Sequence, residues 1–196
     1  DRHRHALEEQ RERFIFDTAR RLVEYLEDRR PAREGEAPKS NNVVQRPAPP
    51  VCIVGARDEA DHVAALVLAR MLEPPEFNPQ VIGHPLLSAE TIEQIAEKAC
   101  RVVCISAVPP HAAAQAGHLC KRLKSRLPEL KVVVALWTAE NPSKLETRLR
   151  DAGADEVVTR LPQAIARLRE LQQYPPQAAP QKQGPPQKQG QTTFSR

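Results

Sequence analysis

The stretch RVVCISAVPPHAAAQAGHLCKRLKSRLPELKVVVAL, residues 101–136, decides the fold. It begins with a short apolar run, Val102 to Ile105, and ends with another, Val132 to Leu136. Neither run alternates apolar with polar residues. A strand buried on one face alone would alternate, so both runs read as strands covered on both sides, as in a parallel sheet. Between them, residues 110–127 repeat apolar residues at helical spacing, and Pro128 stops the pattern. Strand, helix and strand in this order form a right-handed crossover unit.

The same unit recurs outward in both directions. VCIVG, residues 51–55, predicts a buried strand, followed by a helix over residues 58–73 that Pro74-Pro75 ends. Residues 80–83 predict a short second strand and residues 88–99 a helix with Ser88 at its start. Beyond the deciding stretch come a helix over 142–152 with Gly153 as its cap, a strand over 156–159 and a helix over 161–173. The expected domain is therefore α/β, a doubly wound five-stranded parallel sheet of flavodoxin-like type with strand order 2-1-3-4-5, spanning residues 51–173.

The flanks read differently. Residues 1–30 predict a charged amphipathic helix, with Phe14, Thr18, Leu22 and Tyr25 near one stripe that needs a cover. Residues 31–50 hold five prolines and no periodicity, a linker. Residues 174–196 repeat Pro-Gln-Lys-Gln-Gly and predict a disordered tail.

Charge argues against nucleic acid as a partner. The chain carries a net charge of +4, but residues 47–174 hold acids and bases in equal number. A phosphate-tracking groove needs a concentrated basic field, and base stacking needs aromatics, of which there are only four Phe, two Tyr and one Trp. No run reaches the ~20 apolar residues of a membrane span. Cys52, Cys100, Cys104 and Cys120 form no Cys-x-x-Cys pair; the spacing suits free thiols in a reducing compartment, with neither a disulfide framework nor a zinc site.

In an open parallel sheet, ligands bind beyond the C-terminal ends of the strands where the order reverses. Gly55, Arg57 and Asp58 follow the first strand, Ser106 ends the third, and Thr138 follows the fourth. These five residues are the candidate lining of a ligand crevice, with Arg57 suited to an anion. Gly55 is not followed by the further glycines of a dinucleotide fingerprint, nor by a P-loop, so no cofactor is expected. Asp58, Asp61 and His62 form an acidic cluster that reads as the solvated first turn of a helix. Ser106 lacks the Gly-x-Ser-x-Gly elbow and reads as a helix or turn cap. No nucleophile–base pair can be named, so no enzyme is expected.

Three resemblances arise from these residues. GADEVVTRLP, residues 153–162, looks like the end of a response-regulator receiver domain, with Thr138 and Arg160 at its hydroxyl and lysine places. Ser106 stands where the phosphoacceptor aspartate would be, which implies at most a pseudo-receiver. Ser106-Ala107-Val108 resembles the Ser-x-Leu motif of cobalamin-binding domains, but the cobalt-ligating histidine and the glycines that admit the nucleotide are replaced. More broadly, RERFIFDTARRLVEYLEDR, VCIVGARDEADHVAALVLARMLE and DAGADEVVTRL resemble the C-terminal region of autoinducer-2 exporter (PerM-type) family permeases, over residues 11–171. That resemblance implies a multi-pass parent whose spans precede Asp1. It implies a non-catalytic accessory or regulatory domain at the cytoplasmic face of the inner membrane. The implied partners are the parent's membrane part and either another protein or a second copy. The alternative expectation is a soluble sensor that regulates a partner protein.

Overall fold

The computed structural model describes residues 9–28, 48–83, 88–109, 112–137 and 142–173. Eleven elements follow in order: α1 (Glu9–Asp28), β1 (Pro50–Gly55), α2 (Glu59–Met71), β2 (Asn78–Val81), α3 (Ser88–Glu97), β3 (Val102–Ala107), α4 (Ala112–Arg126), β4 (Lys131–Leu136), α5 (Pro142–Asp151), β5 (Glu156–Val158) and α6 (Leu161–Gln173). The strands form one all-parallel sheet in the order β2-β1-β3-β4-β5.

The unalternating runs are explained by two cores, one on each face of the sheet. Odd and even residues of a strand point to opposite faces. Cys52, Val54, Val103, Ile105, Val132 and Val134 meet Ile95, Leu119, Leu123 and Leu149 of α3, α4 and α5. Val51, Ile53, Val102, Cys104 and Val133 meet Leu68, Leu72 and Leu168 on the α2 and α6 side. Both sets must be apolar, so β3 is buried along its whole length.

Helix α1 packs on α2, with Val23 buried and Arg20 Nη1 donating to Glu59 at 3.0 Å. Among the described residues no helix is long and apolar enough to cross a membrane.

Three details depart from the sequence reading. Strand β2 starts at Asn78 and contains Pro79, two residues earlier than expected. A proline is tolerated there because β2 is an edge strand, paired on one side only. Pro50, assigned to the linker, opens β1, and the Pro49 carbonyl accepts from Gln172 Nε2 at 2.8 Å. Cys52 and Cys100, expected as free thiols, form a disulfide with a Cα–Cα distance of 5.9 Å. The crossover returns the chain to the start of β3 beside β1, which brings together two cysteines 48 residues apart. The expected tail over 174–196 and most of the linker lie outside the described residues.

Candidate functional site

The C-terminal ends of β1 and β3 lie side by side, with Gly55 in register with Ser106. Ala56 N–H donates to the Ser106 carbonyl at 2.8 Å, so pairing continues one residue past β1. Helix α2 begins immediately above. A Cβ on Gly55 would sit 2.9 Å from the His62 backbone nitrogen, a distance that real Cβ atoms do not tolerate. Gly55 is therefore a packing requirement for bringing the first turn of α2 onto the strand end.

Asp58 caps that turn. Its carboxylate accepts from Ala60 N–H at 3.1 Å and from Asp61 N–H at 3.4 Å, while Asp61 accepts from Asp58 N–H at 3.3 Å. This is a reciprocal capping box, which satisfies amides that a helix start would otherwise leave without partners. The second oxygen of Asp61 accepts from Val108 N–H at 2.7 Å, tying α2 to the loop that leaves β3. Asp61 is only 1% exposed. Burial pushes its carboxyl above the ordinary 3.8, the Val108 amide pulls it back and the Asp58 charge adds to the rise.

Ser106 is fully buried, and its hydroxyl accepts from the Trp137 indole N–H at 2.8 Å. The Trp137 backbone N–H donates to the Ala107 carbonyl at 2.9 Å. The strand ends of β3 and β4 are thus closed over by Trp137.

Of the five expected crevice residues, the structure brings Gly55, Asp58 and Ser106 together around the β1 and β3 ends. Arg57 is exposed beside them. Thr138 lies outside the described residues. Two corrections follow from burial. Ser106 does not cap the next helix; it holds Trp137. Asp61 is not a solvated first-turn acid; it is an interior acceptor, and His62 beside it is 9% exposed. The Asp-x-x-Asp spacing of the capping box was the available signal for Asp61. For Trp137 no local signal existed.

The two remaining thiols are inert. Burial pushes both Cys104 and Cys120 up to about 12, so neither carries a thiolate near neutral pH. Among the described residues no group of three or more His, Cys, Asp or Glu could hold a metal ion.

No protein-family model matches the chain, and no curated protein does. Among solved structures the chain is similar to a CheY-like protein, TadZ, from Pseudomonas aeruginosa PAO1. The identity is 16%, the TM-score 0.47, and 66% of this chain and 98% of that chain are covered. It is also similar to a structure of the GsuK RCK domain at 14% identity and a TM-score of 0.41. There 66% of this chain spans 29% of that one.

Proposed function

We propose that the chain is a non-catalytic accessory domain of a multi-pass membrane permease, placed at the cytoplasmic face, which works by contact. The observation that carries this reading is the open side of α1. Phe14 (72% exposed), Leu22 (58%), Tyr25 (49%) and Ile15 (47%) face solvent, while Val23 and Arg20 anchor the helix to the domain. A helix fixed along one side and apolar along another is a docking element. The neighbouring α2 adds exposed Val67 and Met71. The resemblance over residues 11–171 names the occupant: the membrane part of the same parent chain.

The second reading is a soluble sensor or pseudo-receiver that binds a ligand at the strand ends. Asp58, Asp61 and Ser106 already hold backbone amides and an indole there, which favours the contact reading. A rise in melting temperature with cobalamin, a nucleotide or flavin would restore the sensor.

Sequencing the coding DNA upstream of Asp1 tests the permease directly. Several apolar segments of about 20 residues each support it, and a start codon directly upstream overturns it. Thiol trapping at lysis tests the membrane face. The structure bonds Cys52 to Cys100, a bond that a cytosolic compartment would open, so the cytoplasmic placement requires four cysteines alkylated after denaturing lysis. Recovery of the bonded pair from intact cells would move the domain to an oxidising side.

A further inference from the structure

A groove of about 330 Å³ runs between α4 and α5, on the opposite sheet face from α1 and α2. Its floor is apolar: Ala113 and Gly117 of α4 face Leu145 and Leu149 of α5. Lys121 and Arg148 stand on its rim. We propose that this groove binds a small organic carboxylate, with its apolar body on the floor and its head between Lys121 and Arg148.

Charge is the first support. Two cations beside the groove, Lys124 and Arg150, are paired within the fold. Lys124 reaches Asp155 at 2.7 Å, and Arg150 reaches Glu146 at 3.1 Å and Glu156 at 3.5 Å. The side chains of Lys121 and Arg148 make no hydrogen bond or ion pair among the described residues. Asp151 also borders the groove, which leaves the rim with a net positive charge. A guanidinium presents a planar donor fork that matches a carboxylate in two parallel hydrogen bonds.

Gly117 is the second support. A glycine inside a helix is a poorer helix former than alanine. Crowding does not impose it here, because an added Cβ would meet Ala152 Cβ at 3.7 Å and Leu149 Cδ2 at 3.8 Å, ordinary contacts. What the missing side chain supplies is depth on the groove floor.

Volume selects the occupant. Small-molecule sites run from about 300 to 1,000 Å³. This groove sits at the bottom of that range, too small to seat an α-helix of about 10 Å diameter. The proposal is independent of the permease reading, since it concerns another face and needs no membrane part.

The test is a titration of the full, ¹⁵N-labelled chain with octanoate, followed by amide chemical shifts. Octanamide serves as the uncharged counterpart. Saturable shifts confined to residues 113–121 and 145–152 are expected. The double variant Lys121→Ala/Arg148→Ala, both exposed positions, should weaken binding about tenfold or more. Gly117→Leu should abolish binding, with thermal melting to confirm the fold. The proposal is overturned by shifts that do not saturate or lie elsewhere, or by octanamide binding as tightly as octanoate. An acidic peptide that occupies the groove when octanoate does not would overturn it equally.

Discussion

The strand ends and the α4–α5 groove treat polar groups in opposite ways. At the ends of β1 and β3, Asp58, Asp61 and Ser106 are engaged by Ala60, Val108 and Trp137, and a backbone crosses where a side chain on Gly55 would sit. At the groove, the side chains of Lys121 and Arg148 form no ion pair among the described residues, although Asp151 borders it, and the floor keeps room above Gly117. The fold's usual ligand position is therefore built as a structural joint, while an ordinary helix–helix seam is left open. Buried polar groups must be paired or they destabilise, so the joint is sensitive to substitution. Exposed cations carry no such penalty, so the groove is tolerant.

The largest expected effect follows from Asp61. Asp61→Ala leaves the Val108 and Asp58 amides without their acceptor and should cost about 3 kcal/mol in urea unfolding. Lys121→Ala/Arg148→Ala should stay within about 0.5 kcal/mol of the parent. Equal losses at both places would erase the contrast. The pH dependence sharpens it. Because burial raises the folded carboxyl of Asp61, its contribution is complete below 3.8 and is lost as pH rises through the raised value. Asp61→Asn should flatten unfolding free energy across that window. Asp155 behaves in the opposite sense. Burial works to raise it, but Lys124 and the Val132 amide prevail and hold it below 3.8. Its contribution is present above 3.8 and fades as pH falls through the lowered value.

Gly55→Ala comes next. The added methyl would press on the His62 backbone, which cannot yield without displacing α2, and a loss of about 2 kcal/mol is expected. Chemical denaturation reads it. A neutral result would mean that α2 is not tightly seated on the strand end.

Ser106→Ala tests the joint at its other edge. The loss should be about 1 kcal/mol, because the half-buried Trp137 can turn its N–H toward water. Trp137 is the chain's single tryptophan, so its fluorescence reports this bond without interference. A shifted emission maximum in the variant is expected. An unchanged spectrum would detach Ser106 from Trp137.

The frame of this joint was legible in the sequence, and its contacts were not. Uninterrupted Val/Ile runs state that both faces of a strand are covered, and Pro74, Pro128 and Gly153 mark helix ends locally. From these the sheet and its order follow. Asp61 misled because an acid in a first turn reads as solvated. Only the arrival of Val108, 47 residues away, buries it. Cys52 and Cys100, like Ser106 and Trp137, meet only after crossovers set their strands side by side. The exposed stripe on α1 was legible as a face needing cover, whereas the groove depends on the spacing between two helices, which no local pattern encodes.

The smallest effect bears most directly on whether the groove is a site. Gly117→Ala should raise stability by about 0.8 kcal/mol, since alanine is the better helix former and its methyl meets only ordinary contacts. The same methyl should shallow the floor and weaken octanoate binding. A fold that gains stability while it loses ligand would place the purpose of Gly117 in binding, because no structural account of a glycine predicts both changes at once. Lost stability would show instead that the glycine serves helix packing. Unchanged affinity would remove Gly117 from the argument for the groove and leave the rim cations to carry it. Urea unfolding and the octanoate titration on the same variant preparation separate these outcomes.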